Sequence, residues 1–424
     1  MTGDLAAIDP ARVHRRTVVT LVVAQSIGAI GITIGVATAS LLARDVSGSE
    51  GQAGLAQTSQ VLGAAVAAYG LARVMARRGR RVGQVAGLLT GAVGAVLAVV
   101  AGVVESMPLL LLGTGLLGFT SAANAAARYA ATDLAPEATR ARSLSLVVWA
   151  TTVGAVVGPN LTGVSATLAR TLGVPERTGP FAVAAIGMTL AALIIGLLMR
   201  PDPLLLARDL AGASDETPTG TSWGRAMAVL RADRALAAAV LGLASAHAVM
   251  VSVMIMTPLH MEHGGAALSV IGIVISGHVL GMFAFSPVMG WLADRWGRPT
   301  MLFLGAGIQL LSLLLSGGSP EGSSWQISTG LFLLGLGWSA ATVAASATIA
   351  DRSPVETRTD VQGVADMVMW LAAALGGAAS GAIVAAWGYA ALNGFAGLIA
   401  GGVVVSAVVT ASTGGSRRPD RVEA

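Results

Sequence analysis

The chain has 424 residues, of which 54% are hydrophobic and only 11% charged, less than half the charged share of a soluble domain. So few polar side chains cannot coat a water-exposed surface, which excludes an ordinary globular enzyme. Net charge is +4 and the pI is near 10.5, but the basic residues are too dispersed to form a nucleic-acid-binding stripe. With no cysteine, disulfides, thiol nucleophiles and thiolate metal sites are excluded as well.

Crossing a bilayer takes about 20 predominantly apolar residues. In chain order, twelve stretches meet that requirement: 17–43, 51–74, 83–104, 108–130, 143–168, 180–199, 235–261, 268–292, 299–317, 325–350, 361–387 and 389–412. The first is too long for a cleaved signal peptide, and eleven more follow. The 55 glycines suit helices packed at close range inside a membrane. The predicted organisation is a tail over 1–16, a six-helix bundle over 17–200, a linker over 201–234, a second six-helix bundle over 235–412 and a tail over 413–424. Within the linker, DLAGASDETPTGTS reads as flexible chain. RAMAVLRADR reads as a short amphipathic helix on the membrane surface.

An even number of spans puts both termini on one side. All basic residues are arginine, and 23 of the 26 fall on that side. Only Arg44, Arg170 and Arg177 fall on the other. Inverting the topology would invert the bias, so the positive-inside tendency places both termini in the cytoplasm. The basic pI is therefore a topological signal.

A single offset of 218 residues relates distant parts of the chain. Arg77, Gly79 and Arg80 match Arg295, Gly297 and Arg298. Asp133, Pro136, Thr139 and Arg140 match Asp351, Pro354, Thr357 and Arg358. Gly158 and Gly163 match Gly376 and Gly381. One offset at three places indicates a duplicated half-chain, which is the first thing to establish because it decides the architecture. Parallel halves in a membrane protein usually enclose a transport path.

The ten residues from Gly290 to Pro299, GWLADRWGRP, join two such halves and a central polar loop to resemble the major facilitator superfamily over about residues 15–412. The segment is similar to that family's loop signature after the eighth span. GAVVGPNLTG on the fifth span, with Gly154, Gly158, Pro159 and Gly163, is similar to the antiporter motif of its drug and metabolite exporters, although Thr162 stands where glycine is common. The family usually keeps its loop aspartate in the first half. Here Ala76 occupies that position and the second half keeps Asp294. The basic residue often found in mid-span four is absent until Arg128, near the cytoplasmic end.

Candidate residues follow from both lines of reasoning. Arg77, Gly79, Arg80, Gly290, Asp294, Arg295, Gly297 and Arg298 are expected in two gating loops, with Asp294 facing the positive N-terminal end of span five; the alternative is topological anchoring. Gly154, Gly158 and Pro159 are expected to bend span five and let it approach span eight, or simply to pack helices. His247 and His278 lie near mid-span, where ionisable groups usually face a cavity or a partner. Each could carry protons or bond, neutral, to a neighbouring helix. Asp366 is the acidic residue inside a span; the resemblance puts it beside the first gating loop, where it would pair with Arg73 or Arg77, and the alternative is a solvated residue near the helix start stabilised by the dipole. Gln25, Thr33, Gln57, Asn124, Trp338 and Trp370 are polar or aromatic cavity candidates, or else helix–helix hydrogen bonds and packing aromatics; the resemblance favours Gln25, Asn124 and Trp338 for the cavity. His260, Glu262 and His263 read as a solvated external rim. No phosphate loop, dinucleotide fingerprint, catalytic triad or zinc-protease motif occurs.

The expectation is an all-α membrane protein of 12 transmembrane helices in two pseudo-symmetric six-helix bundles, multi-pass in the inner membrane. Its expected action is alternating-access transport of a small organic molecule, as proton-coupled export or else as nutrient uptake, with a non-transporting sensor a more distant alternative. Expected partners are the substrate, protons and the lipid bilayer. No nucleic acid, cofactor, metal or catalytic residue is expected, and the chain is expected to act as a monomer.

Overall fold

The computed structural model describes residues 9–49, 52–212 and 220–414, apart from the side chains of 31–37, 159, 160, 162 and 414. The side chains of Thr33 and Pro159 therefore lie outside the described part. The described residues are nearly all helical. A first set comprises α1 (Pro10–Ser47), α2 (Leu55–Val103), α3 (Met107–Ala130), α4 (Arg140–Asn160), α5 (Thr162–Leu172) and α6 (Gly179–Leu198). Two short helices follow, α7 (Pro203–Leu210) and α8 (Ser222–Ala232). A second set comprises α9 (Arg234–His263), α10 (Leu268–Phe283), α11 (Ser286–Trp296), α12 (Arg298–Gly317), α13 (Trp325–Arg352) and α14 (Arg358–Gly414). Among the described residues, nine helical segments are long and apolar enough to cross a membrane.

Local chemistry explains where these helices start and break. Side chains of Asp9, Asp202, Thr221, Asp233 and Ser324 accept bonds from the first free amides of α1, α7, α8, α9 and α13, the usual N-cap arrangement. Gly79 divides α2 with φ 84° and ψ 170°. Gly297, 218 residues later, separates α11 from α12 with φ 90° and ψ 154°. That backbone region is essentially open to glycine alone, so the repeat seen in sequence is a repeat of conformation. Gly388, at φ 81°, breaks α14 in the same way.

Helices approach closely because the facing residues are small. A Cβ on Gly94 would sit 2.5 Å from the Gly113 carbonyl oxygen, between α2 and α3. The two sets meet at the end of the molecule that holds the Gly79 and Gly297 turns, here the arginine-rich end. There a Cβ on Gly290 would lie 2.1 Å from Ser145 Oγ, and one on Gly363 would lie 2.2 Å from Ala72 Cβ. Ala72 and Ser145 are the 218-residue counterparts of Gly290 and Gly363. Each crossing thus pairs one glycine with one small residue, with the roles exchanged. Tyr129, Ala141 and Leu144 of the first set accordingly share a buried core with α9–α14.

Two expectations need correction. The span-five glycines do not make the approach to span eight: a Cβ on Gly154 would meet Ala29 Cβ of α1 at 2.5 Å, and one on Gly163 would meet nothing within 4 Å. Span five does break, at Leu161 between α4 and α5, with Gly158 buried just before it. The close approach comes from Gly290, because the helices cross at their arginine-rich ends. The amphipathic linker helix, α8, is seated on α14 and α9 with Ala226 and Leu230 buried, rather than standing apart on a membrane surface.

The two turn glycines separate strain from crowding. A Cβ on Gly79 would lie 2.4 Å from Asp202 Oδ2, whereas the nearest atom to one on Gly297 is Pro299 Cδ at 3.8 Å. Gly297→Ala is expected to cost about 1–3 kcal/mol from backbone strain, and Gly79→Ala more. Thermal unfolding in detergent checks the order. Equal melting temperatures for Gly79→Ala and wild type would show that the turn is not held as described.

Candidate functional site

Between the two sets lies a cavity of about 240 Å³. Its wall draws on α1, α3 and α4 from one set and α9, α10, α13 and α14 from the other. Gln25, Asn124, His247, Trp338 and Trp370 all line it. Gln57 and His278 do not; Gln57 sits near the start of α2. His278 is 1% exposed and its Nδ1 lies 2.8 Å from the Leu331 carbonyl oxygen of α13. It is therefore a helix–helix bond within the second set, the bland alternative for a buried histidine. The expected solvated rim is corrected in part: His260 is buried and stacks on Tyr389 with centroids 4.1 Å apart, while Glu262 and His263 are exposed.

His247 is held by aromatic neighbours. The Trp338 indole donates to His247 Nδ1 at 3.0 Å, and the Trp370 ring stands edge-on at 5.2 Å between centroids. Indole N–H is a donor only, so Nδ1 must be the acceptor and a neutral ring carries its proton on Nε2. That Nε2, the Trp370 Nε1 and the Thr342 Oγ1 are buried with no hydrogen-bond partner among the described residues.

The floor of the cavity toward the arginine-rich end is Arg128. It pairs with Asp366 of α14, donates to Ser346 Oγ at 3.0 Å and to the Ala125 carbonyl at 2.6 Å, and lies 4.4 Å above the Tyr129 ring. Arg128 and Asp366 are 5% and 3% exposed. The expected pairing of Asp366 with Arg73 or Arg77 is therefore corrected. Asp366 stands eight residues into α14, about 12 Å along the axis, at the depth of the cavity. Arg73 and Arg77 are exposed, and Arg73 lies over the Tyr69 ring. Arg295, too, faces outward, over Trp291.

Below this floor lies a reciprocal set of ion pairs. Arg80 grips Asp133 with two bonds, 2.8 and 3.1 Å, and Arg358 of the other set reaches the same carboxylate at 3.4 Å. Arg298 bonds Asp351 at 3.0 Å, and Arg140 of the other set bonds it at 2.7 Å. All three residues of one group are the 218-residue counterparts of the other three. Each aspartate thus holds one arginine from its own half and one from the other. Arg80 also donates to Gln362 Oε1 at 2.6 Å, and Arg298 to the Glu137 carbonyl at 3.1 Å, both across the interface.

Asp294 accepts from the Ala141 and Arg142 amides at 3.1 and 2.9 Å and pairs with Arg298 at 3.0 Å. It caps the N-terminus of α4, where the helix dipole favours an anion. At its counterpart Ala76, the linker intervenes. Arg208 donates to the Ala76 carbonyl at 2.6 Å, Asp202 accepts from the Arg81 amide at 2.8 Å, and Arg225 bonds Asp360 near the start of α14 at 2.8 Å. Sequence reasoning used Asp133, Asp351, Arg140 and Arg358 only as repeat markers and left Arg128 outside the site. The signal was present: a repeat that preserves opposite charges at matching positions implies reciprocal pairing across its axis.

The family model described as Major Facilitator Superfamily matches residues 19–269 and 244–424. The uncharacterized MFS-type transporter YdeG of Bacillus subtilis (strain 168) is 35% identical, covering 91% of this chain and 90% of that protein. The riboflavin transporter RfnT of Brucella anthropi is 29% identical, covering 89% and 92%. In fold, the chain is similar to the E. coli fucose:proton symporter FucP, with a TM-score of 0.65 at 16% identity over 93% of this chain and 98% of that one. It is also similar to the proton:xylose symporter XylE, with a TM-score of 0.68 at 14% identity over 95% and 96%. Together with a multi-helix membrane architecture and a cavity between two repeated halves, the matches decide the family: the chain belongs to the major facilitator superfamily of transporters.

Proposed function

We propose that this protein is a secondary transporter that carries a small organic molecule through the cavity by alternating access, coupled to protons and working as an exporter. The observation that carries this reading is the cavity between two repeated halves, sealed at one end by paired, exchangeable ion pairs. Counting α2 and α14 as two crossings each, and α4 with α5 and α10 with α11 as one each, gives twelve spans with both termini together. On this reading the arginine bias assigns that end to the cytoplasm, the membrane is the cell's inner one, and the sealed side is the cytoplasmic side. Opening it requires the Asp133 and Asp351 groups to release one arginine each.

Asp366 and Arg128 are suited to coupling because they join the halves directly beneath the cavity. A proton arriving on Asp366 cancels its attraction for Arg128, and in a poorly solvated site that attraction is strong. Proton arrival thereby loosens the floor and the interface together. Export is favoured by the resemblance of Gly154, Gly158, Pro159 and Gly163 to the exporters' motif. Uptake has its own support in the hydroxyl and amide side chains of the lining, among them Gln25, Asn124, Thr151 and Thr342, and in the riboflavin transporter among the relatives.

Flux in proteoliposomes under imposed pH gradients tests the reading. Accumulation against a gradient of opposite direction to the proton's supports export by exchange; accumulation with it supports uptake. Flux of every transported compound that ignores the gradient removes proton coupling. Asp366→Asn is expected to lower gradient-driven flux at least tenfold while counterflow without a gradient persists. Normal gradient-driven flux in that variant would remove Asp366 from the coupling role.

The seal is tested separately. Asp133 is fully buried beside Arg80 and Arg358, while Asp351 keeps 16% of its side chain exposed. Removing one partner of a buried pair costs about 3–5 kcal/mol, so Asp133→Asn should open the cytoplasmic side more than Asp351→Asn does. The chain has no cysteine, so a single Thr342→Cys reports access to the cavity from each side. Faster cytoplasmic labelling in Asp133→Asn is expected; unchanged labelling would show that the pairs do not close that side.

A further inference from the structure

We infer that the cavity takes a flat, uncharged heteroaromatic molecule bearing carbonyl or ring-nitrogen acceptors, and that His247 selects it by donating a hydrogen bond from Nε2. The inference rests on the transport reading above and adds the substrate class to it.

Three observations converge. The first is the wall: His247 and Trp338 lie 5.9 Å apart between centroids, His247 and Trp370 5.2 Å, and Phe283 meets Trp338 edge-on at 5.7 Å. Rings at these spacings present faces and edges to another ring, which favours a planar guest over a globular one. The second is the set of unsatisfied groups. Trp338 fixes the proton of a neutral His247 on Nε2, and both that nitrogen and Trp370 Nε1 are buried without a partner among the described residues. Both are N–H donors and Thr342 Oγ1, also without a partner among the described residues, can donate as well; buried donors left unmade are costly, so a guest that brings acceptors satisfies them. His247 is only 7% exposed, so its orientation is set by the protein before the guest arrives.

The third observation concerns charge. Arg128 is the charged residue among the described lining residues, and Asp366 already neutralises it. A cationic guest would find no free carboxylate in the wall. An anionic guest would have to compete with Asp366 for Arg128. A neutral one faces neither conflict.

The protein purified into lipid nanodiscs is titrated with riboflavin, pterin and xanthine as neutral heteroaromatic probes, with ethidium as an aromatic cation and fucose as a non-aromatic polyol. At least one heteroaromatic probe is expected to bind, with ethidium and fucose at least tenfold weaker. For that probe, His247→Phe, which keeps a ring but removes the donor, is expected to weaken binding about tenfold. His247→Gln, which returns an N–H donor, should recover most of the loss. Trp370→Phe, which keeps the wall, should also weaken binding, and unchanged melting temperatures confirm that these variants fold. Binding of none of the three heteroaromatic probes, or tighter binding of ethidium or fucose, overturns the class; coupled flux of ethidium or fucose in proteoliposomes would at the same time leave the transporter reading standing. Wild-type affinity in His247→Phe overturns the role of His247.

Discussion

The reciprocal pairing of Asp133 with Arg80 and Arg358, and of Asp351 with Arg298 and Arg140, is the constraint on which the arrangement of the halves depends. A buried charge is tolerated only when it is paired. Each carboxylate here is paired twice, once within its half and once across. The interface therefore cannot separate without leaving an arginine and part of a carboxylate uncompensated, unless water or new partners arrive. Such contacts are poor sources of net stability, but breaking one by removing a partner is costly. The glycine crossings at Gly290 and Gly363 bring the backbones of the two halves close at the same end.

Duplication explains the symmetry, and divergence explains where it fails. At the second-half turn, Asp294 supplies the anion that caps α4. At the first-half turn alanine supplies none, and the linker takes over with Arg208 on the turn carbonyl, Asp202 on the Arg81 amide and Arg225 on Asp360. The linker is thus part of the closed interface rather than a passive tether. It joins one half's turn to the other half's helix start, a connection that the second half makes through a single side chain.

The cavity shows a division of labour between its floor and its wall. Arg128 and Asp366 neutralise each other at the floor, which keeps the chamber free of net charge while tying the two halves together there. Along the wall, Trp338 holds a neutral His247 in one tautomer, and the Nε2 that then carries the proton has no hydrogen-bond partner among the described residues.

Much was legible in the sequence because membranes impose one-dimensional rules: segment length, arginine bias, glycine at positive φ and a constant repeat offset all act along the chain. Those rules determined the helical class, the two halves, the turns at Gly79 and Gly297 and the asymmetry between Ala76 and Asp294. Polar and aromatic side chains inside spans, with the family resemblance, singled out Gln25, Asn124, His247, Trp338 and Trp370, which the fold does bring to one cavity, although Gln57 from the same reasoning lies outside it. Partners were not legible. Which arginine meets Asp366, whether His278 faces a cavity or a carbonyl, and which glycine draws span five to span eight depend on helix rotation and crossing depth. A rotation of one residue turns a side chain about 100° around the axis. Only the packed structure sets that angle, because it is chosen by small-residue contacts between helices far apart in the chain.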